Sequence, residues 1–336
     1  VDRAYHQRPR YGDPGPDARP DDGEGSGMGH AVVLGEALVD LLDAEYDGQP
    51  VYLPAVGGGP LNVAVGVARL GGRVQFVGSL GDDVLAERIR AFLTGAGVGL
   101  TGAVTVAAPT ALAMVTFAGP EPDFRFYGNP PSYALLGADD LDPDLVAGAD
   151  VLYAGSIVLL YPAAVAGLRR AWGLATGLRV FDPNVRPDLF DGPDALPRLR
   201  EVVAEFAAGA HLVKLSAADA DLLYPGEPAE GVAAYLRELG ADAVVVTLGA
   251  AGALVAAGPD LVRVPAPTVD AVDATGAGDS VMAALVADLL ADGAPAEPAG
   301  WADRVAFALR VAAVVCESPG GATAMPTRAQ VAARFA

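Results

Sequence analysis

Residues 273–279 read DATGAGD and lead into the run SVMAALVADLL. Gly276, Ala277 and Gly278 put small residues at the start of a helix, where unpaired backbone N–H groups suit a phosphate. Asp279 beside such a site repels an anion, unless it is wanted as a base for an attacking hydroxyl. The combination predicts phosphoryl transfer to an alcohol: Asp279 takes the proton and the helix start holds the developing charge. The plain alternative is a glycine turn with Thr275 as N-cap and Asp279 favoured only by the helix dipole. For this segment taken alone the two are evenly matched.

A second cluster lies near the start of the chain. Gly57-Gly58-Gly59-Pro60 precedes LNVAVGVARLGG, and Asn62 stands where a dinucleotide fingerprint needs its third glycine. The simple reading is a tight turn before a helix. The functional one is a backbone that approaches a ligand, with the Asn62 amide offering both a donor and an acceptor to a sugar hydroxyl. Asp40 sits in an otherwise apolar strand, either facing solvent at an edge or accepting hydroxyl hydrogens. Further polar residues follow apolar runs: Asp182 and Asn184, then Ser216, then Thr247 and Gly249. In open parallel sheets such strand ends face the ligand.

Composition removes several other chemistries. Asp plus Glu outnumber Lys plus Arg by 42 to 22, and the net charge of −20 argues against nucleic-acid and anionic-membrane partners. Lys214 is the only lysine and follows Val213, so no Walker A loop is present. Cys316 is alone, which excludes an internal disulfide and fits a cytoplasmic setting. The histidines are His6, His30 and His211. They sit in a polar tail, beside the first strand and before the strand LVKL, which gives poor support to a histidine metal site or a Ser-His-Asp hydrolase. Ser156, in AGSIV, lacks the second glycine of a nucleophile elbow.

The elements that must position these residues read as follows. Residues 1–27 are rich in Pro, Gly, Asp and Arg, lack an apolar signal region and are expected to be a disordered tail. Met28, directly before the first apolar run, is the expected natural start. AVVLG is a buried strand, and Asp47-Gly48 marks a hairpin within 37–55. A helix is expected over LNVAVGVARLGG, where Val63, Val67 and Leu70 keep helical spacing and Gly71 is the C-cap, and another over the run DDVLAERIRAFLTGAG. From residue 150 strands (VLYAG, LRVFD, HLVKLS, AVVVTLG) alternate with helical stretches, which means a parallel sheet covered by helices. The apolar stretch 243–258 reads as strand, turn, strand, and 276–291 and 299–316 as helices. The fold class is α/β: an αβα sandwich over 28–336 with a mainly parallel sheet. A small β-sheet lid is formed from about 37–55 and 103–128.

Taken together these segments resemble the ribokinase-like, pfkB-type carbohydrate kinases, and among them the fructokinases most closely. The resemblance covers about residues 31–330. It rests on GEALVD (35–40), GGGPLNVAVGVARLGG (57–72), VGSLGDD (77–83), FDPNVRP (181–187), VKLSAADADLL (213–223), VVVTLGAAGAL (244–254) and VDATGAGDS (272–280). The last segment is the most specific.

The resemblance implies an ATP-dependent kinase that transfers the γ-phosphate to a sugar hydroxyl, with fructose first among acceptors. Asp279 resembles the catalytic base, and Gly276, Ala277 and Gly278 the anion hole. Asp40, Gly58, Gly59 and Asn62 match sugar-contacting positions, with Arg186 a further candidate. Ser216, Thr247, Gly249 and Gly252 match positions around ATP. Asp219 stands in place of the usual glutamate near magnesium-bound phosphate. Asp273 and Thr275 correspond to positions that bind a potassium-like monovalent cation, although Ala324 replaces a hydroxyl that helps to ring it. The lid is expected to close over the sugar and to join a homodimer. Gly128 stands where sugar-acid kinases carry an arginine, which weighs against 2-keto-3-deoxygluconate as acceptor unless Arg125 reaches instead. Ribose and nucleosides are further alternatives within the family. A regulator that binds nucleotide or sugar with little catalysis is the rival from another class. An NAD-dependent oxidoreductase is disfavoured because neither glycine segment completes the fingerprint.

Overall fold

The computed structural model describes residues 29–117 and 122–336. The expected tail, 1–27, and Met28 lie outside the described residues. Continuous apolar runs form the centre. The strands β1 (Ala31–Leu34), β9 (Val151–Gly155) and β12 (Ala243–Thr247) have almost no polar alternation and are buried on both faces, as a helix-covered parallel sheet requires. With β4 (Val74–Val77), β10 (Leu178–Asp182) and β11 (Leu212–Ser216) they run parallel in the order β4-β1-β9-β10-β11-β12. The antiparallel hairpin β13 (Ala253–Ala257) and β14 (Asp260–Val264) extends this to an eight-stranded sheet. Strand, turn, strand over 243–258 is therefore borne out.

The helices pack on both sides. On one face lie α1 (Gly59–Arg69), α2 (Val84–Gly95), α8 (Ala277–Asp292) and α9 (Pro298–Cys316); on the other, α4 (Pro162–Leu174), α5 (Ala195–Ala207) and α7 (Ala229–Leu239). The short helices α3 (Pro143–Ala147), α6 (Ala217–Leu223) and α10 (Arg328–Arg334) complete the set among the described residues. Helix α8 is apolar nearly all round because it is sandwiched between the sheet, α1 and α9. The expected αβα sandwich is this structure.

A separate four-stranded sheet has the order β3-β2-β7-β8, built from β2 (Leu38–Tyr46), β3 (Gln49–Gly57), β7 (Leu112–Phe117) and β8 (Pro122–Tyr127). Tyr46 pairs with Gln49 across Asp47 and Gly48, whose φ values are 52° and 71°. Both central residues thus have the positive φ of a tight two-residue hairpin, which Asp-Gly favours. Residues 103–111 stay out of this sheet. Within them β6 (Val104–Thr105) pairs with β5 (Ser79–Leu80) in a short ribbon.

Strand order reverses at β1. The chain goes from β1 to β4 on one side and later to β9 on the other. That reversal opens a crevice beyond the carboxyl ends of β1 and β9, the place where doubly wound sheets bind ligands.

Candidate active site

A cavity of about 650 Å³ occupies this crevice. Residues directly after β1, β9 and β10 (Glu36, Ser156 and Asn184) form its floor, and the starts of α1 and α8 form its far side. The small sheet leans over the mouth and contributes Leu38 and Asp40 from β2 and Phe126 from β8. Asp40 pairs with Ala113, and Ala113 with Phe126, so the carboxyl and the ring lie in one row across three strands. Gly57, beside them on β3, leaves the room Asp40 needs: a Cβ there would sit 2.2 Å from its Oδ2.

Asp279 is the centre of the arrangement. It lies in the first turn of α8 and is buried. Asn62 Nδ2 donates to its Oδ2 at 2.8 Å, and Asn184 Nδ2 donates to its Oδ1 at 3.4 Å. Two neutral amides thus orient the carboxylate. The oxygen of Asn62 is buried with no partner among the described residues, so that side chain keeps an acceptor free. Asn184 holds a left-handed φ of 37°, which asparagine tolerates. Gly59 is required by contact: a Cβ would come within 2.8 Å of Asn184 Nδ2 and 3.4 Å of Asp279 Oδ1. Ser156 sits at a φ of 146°, a strained conformation for a residue with a side chain.

The start of α8 borders the cavity. Gly276 is left-handed at φ 78° and packs against the Gly321 backbone, where a Cβ would meet Gly321 Cα at 2.6 Å. The Ala277 N–H turns back to the Ala274 carbonyl at 3.1 Å. The N–H groups of Gly278 and Asp279 therefore remain for a ligand, and of the three small residues Gly276 and Gly278 line the cavity while Ala277 does not. Asp273 and Thr275 line it too. Asp273 accepts from Thr275 N at 2.8 Å and from Gly320 N at 3.0 Å, which ties the loop before α8 to the loop after α9. Burial alone would raise the Asp273 carboxyl; these hydrogen bonds outweigh it and hold the pKa below the usual value.

Four carboxyls (Glu36, Asp40, Asp273 and Asp279) share the cavity with one guanidinium, that of Arg186. Burial, then the Asp279 charge, pushes Asp40 up to about 7, against a pull downward from Arg186. Burial pushes Glu36 up to about 8, with Asp279 adding to it. Beneath the site, Lys214 Nζ donates to Asp182 Oδ2 at 2.9 Å, both residues being fully enclosed. The aspartate, helped by Asp219 and Asp279, keeps the lysine protonated despite its burial. Lys214 also lies under α8, where a Cβ on Gly278 would be 3.0 Å from Nζ.

Of the residues expected from the sequence, Asp40, Gly58, Gly59, Asn62, Arg186, Asp273, Thr275, Gly276, Gly278 and Asp279 meet in this cavity. Ser216, Thr247, Gly249 and Gly252 do not line it; they stand along the neighbouring ends of β11 and β12 and the turn into β13. Asp219 is spent within the protein. Its Oδ2 accepts from Ser216 N and Oγ at 2.8 and 2.6 Å, and its Oδ1 accepts from Val185 N at 2.8 Å. It thereby anchors the loop that carries Asn184 and Arg186. Arg125 neighbours Phe126 on β8, and successive side chains point to opposite faces; it does not line the cavity. Gly128 has φ 125°, a conformation hostile to any side chain. Glu36 and Ser156 were not singled out from the sequence as ligands. Their signal was a polar residue directly after each of the two strands that flank the reversal.

The model for the pfkB family of carbohydrate kinases matches residues 28–328. Fructokinase-1 of Zea mays is 33% identical over 311 residues, which cover 89% of this chain and 95% of that protein. Fructokinase from Vibrio cholerae O395, solved in a fructose-, ADP- and calcium-bound form, superposes with a TM-score of 0.82 at 28% identity, covering 91% of this chain and 98% of that one. Aminoimidazole riboside kinase from Salmonella enterica, complexed with aminoimidazole riboside and an ATP analogue, gives 0.79 at 30% identity, covering 91% and 99%. The αβα sandwich is that of the ribokinase-like solved structures. This chain belongs to the pfkB family of carbohydrate kinases. Among the described residues no helix is long and apolar enough to cross a membrane.

Proposed function

We propose that this protein transfers the γ-phosphate of ATP to a hydroxyl of a neutral sugar, with fructose as the leading acceptor. The observation that carries the reading is Asp279, clamped by Asn62 and Asn184 and set in the first turn of α8, where the N–H groups of Gly278 and Asp279 have no helical acceptor. Asp279 accepts the proton of the attacking hydroxyl, and the N–H groups of Gly278 and Asp279 hold the charge on the transferring phosphoryl group. Asn62 and Asp40 hold sugar hydroxyls, Gly58 and Gly59 let the sugar approach the backbone, and Arg186 borders the same space. The nucleotide lies along Ser216, Thr247, Gly249 and Gly252, next to the anion site.

The charge of the cavity favours fructose over a sugar acid. A substrate carboxylate would enter a space that holds Asp40, Asp273 and Asp279 against one arginine, while a neutral polyol finds acceptors there in Asp40 and the Asn62 amide oxygen. Magnesium fits as an ion carried by the nucleotide: Asp219 has both oxygens committed to protein donors, and magnesium keeps waters and phosphates as ligands in preference to protein cages. When bound it neutralises the phosphates. Asp273 and Thr275 remain the candidate positions for a monovalent cation. The small sheet acts as a lid that excludes water, its exposed tyrosines, Tyr46, Tyr52 and Tyr127, being the proposed surface for a second copy. A cytoplasmic location belongs to the same proposal.

The test is ADP release with ATP and magnesium against fructose, 2-keto-3-deoxygluconate, ribose, adenosine, aminoimidazole riboside and a blank without acceptor. Fructose well above the others is expected. Turnover of 2-keto-3-deoxygluconate with none on fructose overturns the neutral-sugar reading. Tight sugar binding with no ADP formed overturns catalysis and favours the regulator.

A further inference from the structure

Helix α1 begins without a cap of its own. Its N-cap is Gly58, which has no side chain to accept the first N–H groups. The missing acceptor comes from 23 residues earlier: Glu36 Oε1 accepts the Gly59 N–H at 3.2 Å. One turn further on, α1 carries Asn62, whose amide holds Asp279 at 2.8 Å. Glu36, Gly59, Asn62 and Asp279 are thus linked in series. The other oxygen of Glu36, Oε2, is buried and has no hydrogen-bond partner among the described residues.

An ionised carboxyl would be badly served here. The groups that face it are Asp279 from α8, Arg186 from the loop after β10, Tyr153 from β9, Tyr133 from the turn after β8 and the Ser156 hydroxyl after β9. Asp40 follows on β2 at the same cavity. Arg186 is the one cation among them, and its Nη1 is directed to the Val185 carbonyl. A second buried negative charge beside Asp279, with one oxygen unpaired, is costly. A proton on Oε2 removes the charge and makes that oxygen a donor, while Oε1 still accepts from Gly59.

We propose that Glu36 is a positioning residue that works as an un-ionised acid, capping α1 at Gly59 and so holding Asn62 against Asp279. The catalytic part of this inference rests on the kinase reading above; the structural part does not. Burial, with a smaller push from the Asp279 charge, raises the Glu36 carboxyl to about 8 against the downward pull of its own backbone N–H, the Ser156 hydroxyl and Arg186, so the proton is present at neutral pH. The native state binds it more tightly than the unfolded chain does. The resulting stability is complete below the ordinary value of 4.5 and is lost as pH rises through about 8.

The test compares wild type, Glu36→Gln and Glu36→Ala. Thermal unfolding without ligands is followed from about pH 6.5 to 9.5, and kcat and KM for fructose and for ATP over the same range. Glutamine keeps both an acceptor and a donor. Glu36→Gln is expected to hold kcat within about threefold at neutral pH, and to lose less unfolding temperature and less kcat above pH 8 than wild type. Glu36→Ala is expected to lose about tenfold or more in kcat with the KM for ATP unchanged. A glutamine variant as poor as alanine at neutral pH would overturn the proposal, because a carboxylate would then be required. So would a glutamine variant whose alkaline decline parallels wild type. If wild type phosphorylates no acceptor the kinase reading falls, and the unfolding arm still decides Glu36 by itself.

Discussion

Replacing Asp279 by asparagine tests the centre of the site with almost no change of shape. The carboxylate accepts from two amides, Asn62 at 2.8 Å and Asn184 at 3.4 Å. An asparagine amide has one accepting branch. Its oxygen is expected to keep the shorter bond to Asn62, which turns its NH2 group toward Asn184, donor against donor. An unsatisfied buried donor costs about 1–3 kcal/mol, and part of that is offset because Asp279 no longer repels Asp40. The variant should therefore fold and bind ATP. Loss of a positioned base costs about 10²–10⁴ in rate, or about 3–5 kcal/mol at 1.36 kcal/mol per decade. The displaced Asn184 adds misorientation, so kcat should fall by at least about 10³. ADP release at saturating sugar and ATP measures this, with calorimetric ATP binding as the control for folding. Turnover within about tenfold of wild type would remove Asp279 from the role of base, since orientation and anion binding alone would then supply the rate.

Asn62→Ala removes both the clamp on Asp279 and the free acceptor, so it should raise the KM for sugar and lower kcat together while leaving the KM for ATP unchanged; initial rates at varied sugar and ATP separate the two. Gly59→Ala places a methyl group 2.8 Å from Asn184 Nδ2; it should cost about 1–3 kcal/mol of stability and a larger share of turnover, read by urea unfolding beside the ADP assay. Lys214→Met leaves Asp182 buried and unpaired and should cost about 3–5 kcal/mol, largely recovered when Asp182→Asn is added; a single variant as stable as wild type would contradict the buried pair.

Much of the framework was legible in the sequence because it depends on local chemistry. Strands buried on both faces must be continuously apolar, and AVVL, VLYAG and AVVVT are. Asp47-Gly48 specified a hairpin because the pair tolerates positive φ. The segment 273–279 was readable as a helix start with unpaired N–H groups, and Asp279 stood out because an acid beside an anion is misplaced without a task. Boundaries were close too: helices expected over 276–291 and 299–316 run from Ala277 to Asp292 and from Pro298 to Cys316.

The pairings between distant segments were not legible. Nothing local links Asn62 to Asp279, 217 residues away, or Asn184 to the same carboxyl. Asp219 stood at a position associated with magnesium-bound phosphate, yet a chain turn brings Val185 N within reach and spends its oxygens on the loop that holds Asn184. Three small residues looked alike at the start of α8; the Ala277 N–H bonds the Ala274 carbonyl, and Gly276 and Gly278 line the cavity. Glu36 was unremarkable as one acid in GEALVD until strand order reversed beside it. By itself the sequence determined which segments become strands and helices and what chemistry each end could offer, because dihedral preference, capping and apolar period act within a few residues. The tertiary structure alone decided which of those ends face one another, and so which carboxyl keeps its charge, since desolvation and hydrogen bonding depend on neighbours that packing brings together.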